Sequence, residues 1–339
     1  MLRTKEVLLS LSAVFLFSSI PLAQSNDVHI RPSPHVDVHA RSDTDLFSVK
    51  SREPGGSSQA LRVAVDLVLV PVTVTNSHNQ AVTNLDVRSF AIYENDERQE
   101  IRHFYIEDSP ISVGLVVDIS RSMRSKMEMV KAAVREFFNN ANPDDDYFAV
   151  TFASRPKLLA NPTQSIGTLE SKLAQVNADG NTALLDAISM GISKLQNARY
   201  GRRALLIISD GGDNNSRFRL NDIKKLVQES DVMVYAIGIV DEFNLPLFKS
   251  LDDRVRKHCL EEITDASGGR TIMVNNLARV PDAAATISRD MRNQYVLGYK
   301  PSNRAHDGSW RRIKVRVASI ATEPPLQAFY KRGYLSSHP

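Results

Sequence analysis

Three places in this chain carry short oxygen side chains where an apolar run gives way to a loop. In VVDISRSM, residues 116–123, the run ends in Asp118, followed by Ser120 and Ser122. In DGNTALLDAI, Thr182 precedes an amphipathic run, and in LLIISDGGDN, Asp210 closes another apolar run. An aspartate with serines two and four positions on can cap a helix, act as a nucleophile or hold a metal. Taken singly, Ser120, Ser122 and Thr182 read as helix caps and Asp210 as a turn aspartate. Taken together they fit a hard cation such as Mg²⁺, which takes six oxygens in octahedral array and gives up its waters reluctantly. Three hydroxyls as direct ligands, with two carboxylates acting mainly through water, would hold the ion without quenching its charge. One position would stay open for a carboxylate offered by another protein.

The elements around these residues decide whether they can meet. From residue 109 to about 293, strands alternate with helices. SVGLVVDIS, DYFAVTFAS, RRALLIISD and DVMVYAIGI are continuous apolar strands, with TIMVNN a shorter one. KMEMVKAAVREFF places Met127, Val130, Val134, Phe137 and Phe138 on one helical stripe, and TALLDAISMGISKLQ does the same with Leu184, Ile188, Ile192 and Leu195. GTLESKLAQV and LNDIKKLVQES also read as helices. Strands apolar on both faces and joined by amphipathic helices predict an α/β fold, a doubly wound and mostly parallel sheet with helices on both faces. In such sheets ligands bind beyond the carboxyl ends of the strands, where the strand order reverses.

Flanking segments have a different texture. LRVAVDLVLVPVTVTN, SFAIYE and QEIRHFYI alternate and are separated by turn residues, which predicts antiparallel strands over residues 61–108, with Pro71 at an edge or bulge. After residue 293, QYVLGYKP and SWRRIKVRVA flank the turn RAHDG, and QAFYKRGYL follows. The expectation is that residues 294–339 complete a smaller all-β unit begun at residue 61.

At the start, Arg3 and Lys5 precede an apolar stretch from Val7 to Ala23, after which the sequence turns polar. This is the layout of a signal peptide over residues 1–23, with cleavage after Ala23, although Pro21 suits that cleavage poorly and an uncleaved anchor is the competing reading. No later segment is long and apolar enough to span a bilayer, so the expected location is secreted, periplasmic or in the cell envelope. Residues 24–60 read as a flexible leader, in which His35, Asp37 and His39 form a scattered polar run. The formal net charge of +3 gives no reason to expect a nucleic-acid partner. Cys259 is the only cysteine, which rules out an internal disulfide and a cysteine-built zinc site; it reads as a buried thiol.

Enzymatic readings lack their parts. A phosphatase of the haloacid dehalogenase type needs a second aspartate two positions after the first, where this chain has Ser120. No G-x-S-x-G elbow is present, and the turn after the first α/β strand is not G-x-G-x-x-G.

D-x-S-x-S with a distant threonine and a distant strand-end aspartate resembles the metal-ion-dependent adhesion site of von Willebrand factor type A domains. The matching positions are Asp118, Ser120, Ser122, Thr182 and Asp210. Together with LVPVTV, SFAIYEND, QYVLGYKP and KRGYL in the flanks, the pattern is similar to an exported bacterial subfamily catalogued in acidobacteria. The resemblance implies Mg²⁺, with Mn²⁺ or Ca²⁺ as alternatives, and a protein partner presenting Asp or Glu. It implies an interaction module; a structural envelope protein assembling through its β unit is the alternative. Arg121 stands where glycine is usual between the two serines, which makes it a candidate contact for an incoming carboxylate. Asp186 and Asp213 read as supporting residues rather than ligands.

Overall fold

The computed structural model describes residues 67–240, 249–318 and 325–336. The predicted signal peptide, the leader with His35, Asp37 and His39, and residues 61–66 of the β unit lie outside the described residues. The first described strands are β1 (Val68–Thr75), β2 (Phe90–Glu94), β3 (Glu97–Gln99) and β4 (Ile101–Glu107). An α/β region follows: β5 (Ser112–Asp118), α1 (Met127–Asn139), β6 (Asp146–Phe152), β7 (Pro156–Thr163), α2 (Ile166–Ala174), α3 (Leu184–Leu195) and β8 (Arg203–Ser209). It continues with α4 (Leu220–Glu229), β9 (Val232–Ile239), α5 (Lys249–Ser267), β10 (Thr271–Val274) and α6 (Val280–Arg292). The tail supplies β11 (Gln294–Tyr299), β12 (Trp310–Val317), β13 (Gln327–Tyr330) and β14 (Gly333–Leu335).

The α/β region is built on one sheet of order β10-β9-β8-β5-β6-β7, parallel except for the edge strand β7. Period-two alternation sends side chains to two cores. Leu115, Val117, Leu206, Ile208 and Ile237 pack under α1, α2 and α6, whereas Val116, Leu205, Ile207 and Val234 pack under α3, α4 and α5. Both predicted helical stripes are buried throughout. Burying each such aliphatic side chain contributes roughly 1.5–3 kcal/mol, so the two apolar layers hold the sheet's edges in place. β7 and α6 have no counterpart in the sequence reading, β3 falls on residues read as a turn, and of α5 only KHCLEEI reads as helical. β7 is bounded by prolines and only partly buried, and α6 shares its apolar face with Ala283, Ala284 and Ala285, whose small side chains give a weak periodic signal.

The flanking strands form two four-stranded antiparallel sheets, β13-β1-β11-β4 and β14-β12-β2-β3. They share a core of Val70, Val72, Phe90, Ile92, Tyr295, Leu297 and Ile313. Asn95 and Asp96, both at positive φ, make the tight turn between β2 and β3. Pro71 lies neither at the edge nor at the bulge that its sequence suggested: β1 is a central strand, Pro71 pairs in continuous register with Val296 of β11, and the β13 ladder begins one residue later at Val72. The turn RAHDG carries the chain from one sheet to the other.

The strand that enters the α/β region and the strand that leaves it are neighbours, since β4 pairs with β11 in the register Gln294↔Glu107. Buried polar groups close this seam. The Arg202 guanidinium donates to the carbonyl oxygens of Ser109 and Met291, on either side of the crossing. Arg270, almost fully buried, pairs with the fully buried Asp290 at 2.6 Å and reaches the Asn79 carbonyl at 3.1 Å. At Gly268 (φ +87°) a Cβ would stand 2.2 Å from the Lys331 nitrogen, so only glycine admits the tail there. Removing one partner of a buried pair leaves an uncompensated charge. Arg270→Ala is therefore expected to lose about 3–5 kcal/mol of stability in urea unfolding at pH 8; a loss under about 1 kcal/mol would show that the seam does not depend on this pair.

Candidate metal centre

β5 and β8 lie side by side and parallel, yet the chain leaves β5 toward β6 on one side and returns to β8 on the other. The strand order reverses between them, and their carboxyl ends frame a crevice. Asp118 is the last residue of β5 and Asp210 the first after β8.

Asp118 has no exposed surface. Its Oδ1 accepts from the Ser120 N–H at 2.8 Å and its Oδ2 from the Ser209 hydroxyl at 2.6 Å, so one carboxylate ties the loop after β5 to the end of β8. Burial pushes this carboxyl up to about 6, against the pull of the Ser209 and Ser120 hydrogen bonds, and the charge of Asp210 adds to the rise. Ser120 is also buried, and its hydroxyl lies 3.2 Å from that of Ser122. The 3-10 turn Arg121–Lys126 begins at Ser120 without a side-chain cap, so this serine is not spent on capping. Adjacent oxygens of an octahedral Mg²⁺ shell lie about 3 Å apart, given metal–oxygen bonds of about 2.0–2.1 Å. The two serine oxygens stand close to that spacing.

Thr182 is brought in by backbone lacing. The Asp179 N–H reaches the Ile119 carbonyl at 2.9 Å and the Arg121 N–H the Gly180 carbonyl at 3.1 Å, which sets the second loop against the first. The Thr182 N–H donates to Asn214 Oδ1 at 2.9 Å, and its carbonyl accepts from the N–H groups of Asn214 and Asn215. Helix α3 starts from Ala183 with no side-chain cap; Asp213 takes the Leu184 N–H at 2.9 Å instead. Asp186 accepts from the N–H groups of Arg217 and Phe218 and pairs with the Arg217 guanidinium at 3.1 Å. Burial acts to raise its pKa, but these donors outweigh it and hold the carboxyl below its ordinary value. Asp213 and Asp186 thus hold the third loop against α3.

Asp210 is buried and differently engaged. Oδ1 accepts the Gly212 N–H at 3.0 Å, and Oδ2 accepts from Arg256 Nη1 of α5, also at 3.0 Å. Arg121 is exposed on the rim, its Nε 3.3 Å from Asp179 Oδ1, an oxygen that Arg124 shares at 3.1 Å. Cys259 is half-buried, and burial pushes its thiol up to about 11, which disfavours the thiolate.

The five sequence-derived positions lie on neighbouring loops at the carboxyl ends of β5 and β8, and contacts join Asp118, Ser120 and Ser122, while Thr182 is tied in through its backbone. Among the described residues no three His, Cys, Asp or Glu side chains gather as a metal cluster; the five positions carry two carboxylates and three hydroxyls. Buried Asp118 and the serine pair fit a hard cation, while Asp210 already has a cation on one oxygen. Sequence reasoning missed Ser209, Asp179, Asn214 and Arg256. Only Ser209, next to Asp210, had a signal available in its position.

Because the folded pKa of Asp118 lies above the unfolded one, ionisation costs stability above about pH 6, and the cost disappears below about pH 4. In EDTA, Asp118→Asn is expected to stabilise the fold by about 1–3 kcal/mol at pH 8, with the gain shrinking toward pH 4. Thermal or urea unfolding at the two pH values checks this, and a variant less stable than the parent at pH 8 would contradict it.

Comparison with known proteins bears on the same region. Residues 113–212 match the family model for the von Willebrand factor type A domain. An uncharacterized protein of Borreliella burgdorferi is 25% identical over 165 residues, covering 45% of this chain and 48% of that protein. Inter-alpha-trypsin inhibitor heavy chain H4 of Bos taurus is 26% identical over 127 residues, 33% of this chain and 14% of that protein. The chain thus spans about half of one curated relative and about a seventh of the other. Among solved structures, a von Willebrand factor type A protein from Catenulispora acidiphila has a TM-score of 0.47 at 11% identity, over 80% of this chain and 74% of that one. BatB from Bacteroides thetaiotaomicron has a TM-score of 0.43 at 18% identity, over 53% of this chain and 98% of that one.

Proposed function

From the von Willebrand factor type A domain that this chain contains, we propose an exported protein-interaction module whose binding of an acidic partner depends on a divalent cation. Such domains are commonly protein-interaction modules rather than enzymes. What supports the finer reading is that Asp118, Ser120 and Ser122 follow β5, Asp210 follows β8, and the loop of Thr182 is laced by backbone bonds to both. Ser120, Ser122 and Thr182 would hold Mg²⁺ or Mn²⁺ through their hydroxyls, with Asp118 and Asp210 supporting from behind. The ion would supply an electrophilic position open to a carboxylate.

The chain's own residues do the rest. Asp118 places negative charge beneath the hydroxyls without exposing it to a competing partner. Arg121, Arg124 and Arg217 are exposed on the surrounding loops, and Phe218 offers apolar surface beside them. This rim suits an acidic side chain flanked by an apolar one. Among the described residues no helix is long and apolar enough to cross a membrane. Export itself rests on the sequence of residues 1–23.

A second reading is favoured by one observation: the edge strand β4 leaves Tyr105 and Ile106 exposed, a surface suited to strand addition between copies. Assembly of that kind would be indifferent to EDTA in size-exclusion chromatography.

Calorimetric titration with Mg²⁺ or Mn²⁺ tests the first reading. The parent protein is expected to bind, and the Ser120→Ala, Ser122→Ala double variant to bind more than about a hundredfold more weakly, since even outer-shell losses cost about 10–100-fold. Absence of binding by the parent protein would end the metal-dependent reading.

A further inference from the structure

We infer that Arg256 is a tethered counter-ion of this site: its guanidinium holds the Asp210 carboxylate, and a divalent cation must displace it to use that carboxylate. The inference rests on the metal-binding reading above. A second cation on Asp210 Oδ2 opposes an incoming ion in two ways, by occupying the oxygen and by like-charge repulsion. Arg256 would then set the affinity and the specificity of the centre.

The arrangement is built into the fold, since the loop after β8 is shaped to receive α5 at this residue. Gly211, at φ +78°, lies where a Cβ would stand 2.7 Å from the Arg256 carbonyl oxygen. A Cβ on Gly212 would stand 3.3 Å from Arg256 Nη1. Two adjacent glycines thus let both the backbone and the guanidinium of Arg256 lie directly on the Asp210 loop. The helix is fixed in that position by contacts elsewhere: Lys224 of α4 pairs with Glu262 at 2.5 Å, and Leu260 and Ile263 are fully buried in the core under α5. Asp210 is almost fully buried and the Arg256 side chain about one-third exposed, so the pair is only partly screened by solvent.

One consequence follows. Cation binding and the seating of α5 at Arg256 oppose each other, and by linkage each weakens the other to the same degree.

The test is Mn²⁺ titration by calorimetry on the full chain in four forms: parent, Arg256→Gln, Asp210→Asn and the double variant. A charge-assisted hydrogen bond to a carboxylate is worth enough that Arg256→Gln is expected to bind Mn²⁺ at least about tenfold more tightly than the parent. In the Asp210→Asn background the same change is expected to alter affinity less than about twofold. Equal or weaker affinity in Arg256→Gln overturns the role of Arg256 while leaving the metal site standing. Failure of the parent protein to bind Mn²⁺ overturns the metal-binding reading, and this inference with it. Hydrogen exchange on the parent protein avoids any folding defect of the variants. Saturating Mn²⁺ is expected to speed exchange of the α5 amides around Arg256, and unchanged or slower exchange counts against the latch.

Discussion

A carboxylate sealed from water at the end of the central strand is the constraint around which this site is arranged. Asp118 keeps a charge in a place that disfavours it, held by the Ser120 N–H and the Ser209 hydroxyl. Those two bonds tie the loop after β5 to the tip of β8, across the line where the strand order reverses. Without a cation nearby the charge is a cost. An arrangement that retains such a cost at a crevice is what a binding site for a positive charge requires, and the paired hydroxyls of Ser120 and Ser122 lie beside it.

The positions of those groups depend on structure well outside the crevice. Two apolar layers fix β5 against β8, so the loops at their ends start from a rigid edge. Backbone bonds then sew the three loops to one another, from Ile119 to Asp179 and from Thr182 to Asn214 and Asn215. Farther off, the β4–β11 pairing returns the chain to the sandwich it left, and the Arg270–Asp290 pair and the Arg202 contacts close the seam. The flanking strands therefore act as a base for the α/β region. The arginines of the site loops, Arg121, Arg124 and Arg217, are exposed and paired with Asp179 and Asp186.

The parts legible in the sequence were those with a strong local signal. Runs such as GLVVD and ALLIIS are apolar on both faces because both faces are covered, and stripes such as Met127, Val130 and Val134 announce their helix directly. The parallel sheet and its two helical layers follow from that texture. β7 and α6 did not, because prolines and alanines blur the period on which such readings rely. At the site, spacing named the residues that end strands. It could not name Arg256, which reaches Asp210 from a helix 46 positions later, nor Ser209, whose role depends on β8 lying next to β5. Arg121 was legible as an exposed charge, while its sharing of Asp179 with Arg124 comes from the docking of two loops. Pairings of this kind belong to the tertiary structure.

The central claim is that three hydroxyls and two carboxylates at this sheet edge form one cation site. Anomalous diffraction from crystals soaked in Mn²⁺ addresses it most directly. The account predicts a single strong peak within bonding distance of the Ser120, Ser122 and Thr182 hydroxyl oxygens, with Arg256 withdrawn from Asp210. A map without a peak there, or with the ion bound at another place on the molecule, would contradict it.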